Sequence, residues 1–183
     1  MTALFDPAQL AEAMHRLHAG EVIAMPAEGV YGYCADPFNP KALAKLIALK
    51  QRDPGKGFVT LIGTLRQLPR LCETLPPAAH GAVIDHWPGP VTLLLPALEH
   101  LPELLTGGHP TVAVRLPAAD YMRAYLSAWG QPLVSTSANV TGEPPITDAA
   151  QLPPELFALT LAQPLAGGVS KILNPATGVW VRK

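Results

Sequence analysis

Apolar positions along this chain follow helical spacing in some stretches and form short continuous runs in others, and the two patterns alternate. Asp6 and Pro7, with Gln9 at the capping-box position, open a helix whose Leu10, Met14 and Leu17 share one face until Gly20 stops it. Val22 to Met25 reads as a buried strand, and Asn39 with Pro40 starts a second helix that turns Leu43, Leu46 and Ile47 inward. Gly57 to Ile62 is a strand, Leu65 to Leu75 a helical or turn segment broken near Pro69, and Pro77 to His86 a helix. Pro88, Gly89 and Pro90 then force a turn into the uninterrupted apolar run Val91 to Leu95, which predicts a strand buried on both faces. Thr111 to Leu116 is a strand, Ala118 to Trp129 a helix closed by Gly130, and Leu133 with Val134 the end of a further strand. A short helix at Asp148 to Leu152 and two short strands around an Asn-Pro turn in the tail complete an α/β pattern without internal repeats.

Two polar stretches interrupt these elements. PAEGVYGYCADP, directly after the first strand, reads as a glycine-punctuated loop able to bring its backbone close to a ligand. It holds neither GxxxxGK[ST] nor GxGxxG, which argues against a P-loop enzyme and a Rossmann dehydrogenase. LVSTSANVTG, residues 133–142, sets Ser135, Thr136, Ser137 and Asn139 at the carboxyl end of a strand, where open α/β sheets bind ligands. The same residue types also suit a plain turn whose side chains bond to their own backbone.

Composition narrows the class. With 183 residues, 49% hydrophobic and 15% charged, the chain is globular and fits a single domain spanning residues 1–183. A net charge of -1 argues against a uniformly basic nucleic-acid coat, so the distribution of charge matters more than its sum. Between residues 41 and 56 stand Lys41, Lys45, Lys50, Arg52 and Lys56 against Asp53 alone. Lys41 and Lys45 suit a solvated helix face, whereas Lys50, Arg52 and Lys56 sit at a helix-to-strand junction and suit an anionic ligand. Arg115, the one charge in TVAVRL, needs an anionic or polar partner, either a ligand or a structural salt bridge. Ser170, Asn174 and Arg182 are the polar candidates of the tail. Cys34 and Cys72 form no CxxC pair, and His80, His86, His100 and His109 share no metal-ligand spacing, so neither a disulfide framework nor a metal site is expected. The start, MTALFDPAQL, lacks the pattern of a leader, and no window is long and apolar enough to span a bilayer, which predicts a cytoplasmic protein without a membrane partner.

Taken in order, PAEGVYGYCADP, KQRDPGKGF, WPGPVTLLLP, TVAVRLP, LVSTSANVTG and the tail resemble the YrdC-like family, also called TsaC, over nearly the whole chain. The resemblance implies a twisted, open mixed α/β sheet with flanking helices and a positively charged concave cleft. It implies a threonylcarbamoyl-AMP synthase that condenses L-threonine, bicarbonate and ATP to threonylcarbamoyl-adenylate and pyrophosphate for the t6A modification of tRNA at position 37. Because the chain stops after the YrdC-like unit, it is similar to the short form, and other t6A-pathway proteins are expected to carry out transfer to tRNA.

Adenylation gathers negative charge on phosphates and pyrophosphate, so fixed cations stabilise its transition state. Lys50, Arg52, Lys56 and Arg115 are the cations expected to do so, with Lys50 and Arg52 as the catalytic pair. By resemblance Arg52, Lys56, Thr111, Arg115, Ser137, Asn139 and Arg182 would contact ATP, and Ser135 and Ser170 the threonine. Magnesium would arrive on the nucleotide rather than in a protein cage. Ala27 and Gly29 stand where the family often has threonines, Leu61 where longer members have a histidine, and Val169 and Asn174 where a PSxIxD-like tail has proline and aspartate. Relaxed amino-acid selection follows as an expectation. Two rival readings are a non-catalytic protein that binds double-stranded RNA or tRNA in the same basic cleft, and the carbamoyl-transfer module of hydrogenase-maturation proteins, which sits in much longer chains.

Overall fold

Eight strands pair into one sheet in the order β1-β2-β6-β3-β5-β4-β7-β8, in a computed structural model that describes residues 5–162 and 164–183. Residues 1–4, where the stretch read as lacking a leader begins, lie outside it. The strands are β1 Ile23–Pro26, β2 Tyr31–Ala35, β3 Val59–Leu61, β4 Val91–Pro96, β5 Thr111–Arg115, β6 Leu133–Ser137, β7 Lys171–Asn174 and β8 Val179–Arg182. β3 runs parallel to β5 and β4 to β7, while the other neighbours are antiparallel, so the sheet is mixed and open as expected.

The helices are α1 Pro7–His18, α2 Pro40–Lys50, α3 Pro77–His86, the single turn α4 Glu103–Thr106, and α5 Asp120–Trp129. Their starts obey local chemistry. Asp6 Oδ1 accepts from Ala8 N at 2.9 Å ahead of Pro7, and Asn39 Oδ1 accepts from Lys41 N and Ala42 N at 3.0 and 3.2 Å ahead of Pro40.

Strand alternation divides the apolar residues between two cores. Ile23, Met25, Cys34, Leu61 and Leu133 point to the face covered by α1 and α5, where they meet Met14, Leu17, Met122 and Leu126. Ala24, Tyr33, Val112, Val114 and Val134 point to the other face, against Leu43 and Leu46 of α2 and Ala79 of α3. Beyond α1 and α5 the first face continues, uncovered except at Thr92, which is buried against Ser170: Val59 pairs with Ala113, Ala113 with Leu94, Thr92 with Ile172, and Ile172 with Arg182. That row is the floor of the cleft.

Two readings of the sequence are corrected. PAEGVYGYCADP is not all loop, because Tyr31–Ala35 form β2, and all five residues are buried, which leaves no hydrophobic alternation to read. The strand entering LVSTSANVTG does not stop at Val134 but runs through Ser137, since Ser135, Thr136 and Ser137 pair with Cys34, Tyr33 and Gly32. The hydroxyls therefore stand on a strand rather than in a turn.

A candidate anion-binding cleft

The cleft has a volume of about 590 Å³, and its lining includes the cations Arg52, Lys56, Arg115 and Arg182 against one carboxylate, Glu28. In a protein of net charge -1 this is a pronounced local excess of positive charge. The elements explain how each cation arrives.

α2 ends at Gln51, which adopts left-handed dihedrals (φ 48°, ψ 48°), with Arg52 N bonded back to Ile47 O at 3.1 Å. The reversal sends the residues on either side of Gln51 in different directions. Lys50, 2% exposed, turns under the end of β6 and donates to Ser137 O (2.5 Å), Asn139 O (2.8 Å) and Asn139 Oδ1 (3.1 Å). Burial, and then the nearby Arg52 charge, push its ammonium down to about 8. Arg52 turns into the cleft, stacks over the Phe58 ring at 5.3 Å and donates to Gly57 O at 2.9 Å, while its buried Nε has no partner. Lys56 follows in an exposed 3-10 turn on the same wall.

Arg115 rises from the end of β5 and is 6% exposed. It faces Glu28 Oε2 at 3.6 Å and Met122 Sδ at 3.8 Å, and its Nε is buried without a partner. Burial lowers its proton affinity, and Glu28 opposes that. On the far side Arg182 of β8 folds back onto Ser170, donating to its carbonyl at 2.6 Å and its Oγ at 3.0 Å, and Ser170 Oγ meets Thr92 Oγ1 at 2.9 Å. Burial lowers the proton affinity of Arg182, and so does repulsion from Arg115 and Arg52, which means these cations feel one another across the cleft.

Thr111, Ser135, Ser137 and Ser170 also line the cleft. Gly32 makes room for Ser135, since a Cβ at that glycine would lie 2.5 Å from Ser135 Oγ. Two of the residues proposed from sequence stand elsewhere. Lys50 is not part of the lining, because its N–H groups point at the β6 turn. Asn139 is also outside the lining: its Oδ1 accepts from Lys50 and its Nδ2 donates to Glu143 O at 2.6 Å. Asn174 caps its own turn by accepting from Ala176 N at 3.0 Å.

Two features of the site were not singled out from the sequence. Glu28, in the loop between β1 and β2, gave no signal beyond being an acid in a glycine-rich segment. The pair Gly167 and Gly168 overhangs the cleft, with Gly167 N donating to Gly29 O at 2.6 Å. A Cβ at Gly29 would lie 2.5 Å from Gly168 O and closer still to Gly167 O. Backbone thus fills the place where a side chain at residue 29 would stand.

Sequence and structure comparisons bear on this geometry. The Sua5/YciO/YrdC family model, described as telomere recombination, matches residues 15–171. The chain is 45% identical over 163 residues to a threonylcarbamoyl-AMP synthase of Alkalilimnicola ehrlichii, covering 87% of this chain and 84% of that one. A protein of the same description from Chromohalobacter salexigens is 39% identical over 89% of each chain. Among solved structures, P. abyssi Sua5 complexed with L-threonine superposes with a TM-score of 0.83 at 28% identity. The match covers 90% of this chain and 50% of that one, so this chain spans about half the length of P. abyssi Sua5.

Proposed function

This chain belongs to the Sua5/YciO/YrdC family, and on that footing we propose that it joins L-threonine, bicarbonate and ATP into threonylcarbamoyl-adenylate and pyrophosphate, for t6A modification of tRNA. The observation that carries the proposal is the gathering of Arg52, Lys56, Arg115 and Arg182 around one cavity of nucleotide size that also holds Ser135, Ser137 and Ser170.

In this reading Arg52, Lys56, Arg115 and Arg182 receive the phosphates. Arg52 and Arg115 bond within the protein through Nη2 alone, which leaves Nη1 of each to meet a phosphate oxygen. As the carbamate oxygen attacks the α-phosphorus, charge accumulates on the leaving pyrophosphate, and fixed cations in a partly dry cleft offset it without having to reorganise. Thr111 and Ser137 contribute neutral donors at the nucleotide end, and Ser135 and Ser170 bond the threonine. Lys50 and Asn139 act at one remove by holding the β6 turn, which carries Ser137. Magnesium would enter on the nucleotide's own phosphates, since it keeps most of its waters and is ordinarily held by substrate phosphates with few protein ligands. Among the described residues no helix is long and apolar enough to cross a membrane; we place the reaction in the cytoplasm, with other t6A-pathway proteins transferring the product to tRNA.

Pyrophosphate release from ATP should require both threonine and bicarbonate. Equal turnover with threonine omitted would remove the synthase assignment. Absence of turnover with tight, salt-sensitive RNA binding would replace it with an RNA-binding role.

A further inference from the structure

Among the described residues that line the cleft Glu28 is the sole carboxylate, and its two oxygens have separate partners. Oε1 accepts from Ala118 N at 2.9 Å and from Ala119 N at 3.2 Å. These N–H groups stand at the entry to α5, whose N-cap residue, Ala119, makes no side-chain capping bond of its own. Oε2 turns the other way, toward Arg115 at 3.6 Å. The same hairpin is tied to α5 twice more, by Tyr121 Oη donating to Ala27 O at 2.8 Å and Tyr125 Oη donating to Pro26 O at 3.1 Å. One arm of the carboxylate is therefore anchored to a helix while the other faces the arginine.

Arg115 is only partly engaged in return. Its contact with Glu28 is longer than the roughly 2.7–2.9 Å of a tight charge-assisted bond, its other partner is the weak acceptor Met122 Sδ, and its Nε is bonded to nothing. A pair of this kind fixes where a guanidinium sits and balances its buried charge, yet leaves N–H groups for an incoming anion. We propose that Glu28 is a positioning residue, which uses the entry of α5 as its anchor to hold Arg115 in place for the phosphates of the nucleotide. The inference rests on the ATP-dependent reading above.

Glu28→Gln separates the two arms, because the amide oxygen still accepts from Ala118 and Ala119 while the charge facing Arg115 is gone. ATP dissociation constants, measured by calorimetry without threonine, are compared for the wild type, Glu28→Gln, Arg115→Met and the double variant, with thermal melting alongside. The expected result is a loss of ATP affinity of about tenfold or more in Glu28→Gln with little change in Tm, and no further loss when Glu28→Gln is added to Arg115→Met. Unchanged or tighter ATP binding in Glu28→Gln would overturn the inference, as would an additive loss in the double variant. A large fall in Tm in Glu28→Gln would overturn it too, since the charge would then be holding the fold itself. A wild type that binds ATP but releases no pyrophosphate would sink the proposed reaction instead, and the binding cycle would still decide the role of Glu28.

Discussion

Lys50 and the turn around Asn139 are locked from both ends: the Lys50 ammonium donates to Asn139 O and Oδ1, while the Lys50 carbonyl accepts from Thr141 N at 2.9 Å and Thr141 Oγ1 at 3.0 Å. The Lys50 charge, which suggested contact with phosphate, bonds in this structure to the polar end of β6.

Asn139→Ala should consequently destabilise the protein. It removes one acceptor from a buried ammonium and the bond to Glu143 O, a loss of about 1 to 3 kcal/mol, or roughly 2–4 °C in Tm for each of those kcal/mol. Melting curves beside nucleotide titration check this. Weaker ATP binding with an unchanged Tm would put the amide in direct contact with the nucleotide after all.

The same lysine gives a pH dependence. Its folded-state value of about 8 lies below the ordinary 10.5, so between these values the unfolded chain binds more protons than the folded one and stability contributed at this site rises with pH. Below about pH 8 the cost of burying the charge is fully present. Lys50→Met lacks that proton, so the Tm difference between wild type and variant should shift in favour of the wild type as pH rises from about 8 toward 10.5. A difference that stays flat over this window would show that the ammonium is not desolvated.

Arg52→Ala should lower turnover by about 10- to 100-fold, as expected for losing a charge-assisted bond to phosphate. Lys41→Ala, on an exposed helix face, should leave it near the wild-type rate. Arg52→Lys should remain impaired, because an ammonium cannot stack on Phe58, bond Gly57 O and present a second donor together. Equal rates in all three variants would move the reaction away from this wall.

Gly29→Thr offers a different kind of test. Lack of a threonine hydroxyl at this position suggested that Gly29→Thr would change the constant for threonine more than that for ATP, but the carbonyls of Gly167 and Gly168 leave no room for a Cβ. Both Gly29→Ala and Gly29→Thr should therefore displace the overhang and raise the KM for both threonine and ATP, with a lowered Tm. An effect of Gly29→Thr on the threonine constant alone would mean that the overhang yields freely and the hydroxyl is read directly.

Much of the architecture could be read from the sequence because several helices carry start or stop signals, Asp6-Pro7, Asn39-Pro40 and Gly130 among them. β2 could not, since a strand buried on both faces shows no period and its glycine and tyrosines look like a turn. In the cleft, Arg52, Lys56, Arg115 and Arg182 stood out because a cation at the end of an apolar strand or at a helix junction is conspicuous against this composition. Glu28 did not, because an acid in a loop ordinarily faces water. The hint lay ninety residues away, where α5 is entered through Ala118 and Ala119 and so lacks a side-chain cap of its own.

The cations of the cleft are spread over the chain from Arg52 to Arg182, and the last of them rides on an edge strand that pairs with β7 alone. Arg52 and Lys56 stand on one wall, and the pocket has no far wall until β7 and β8 have docked. An anion that engages all four cations at once therefore requires a fully paired sheet, so occupancy of the cleft and docking of its edge are one event.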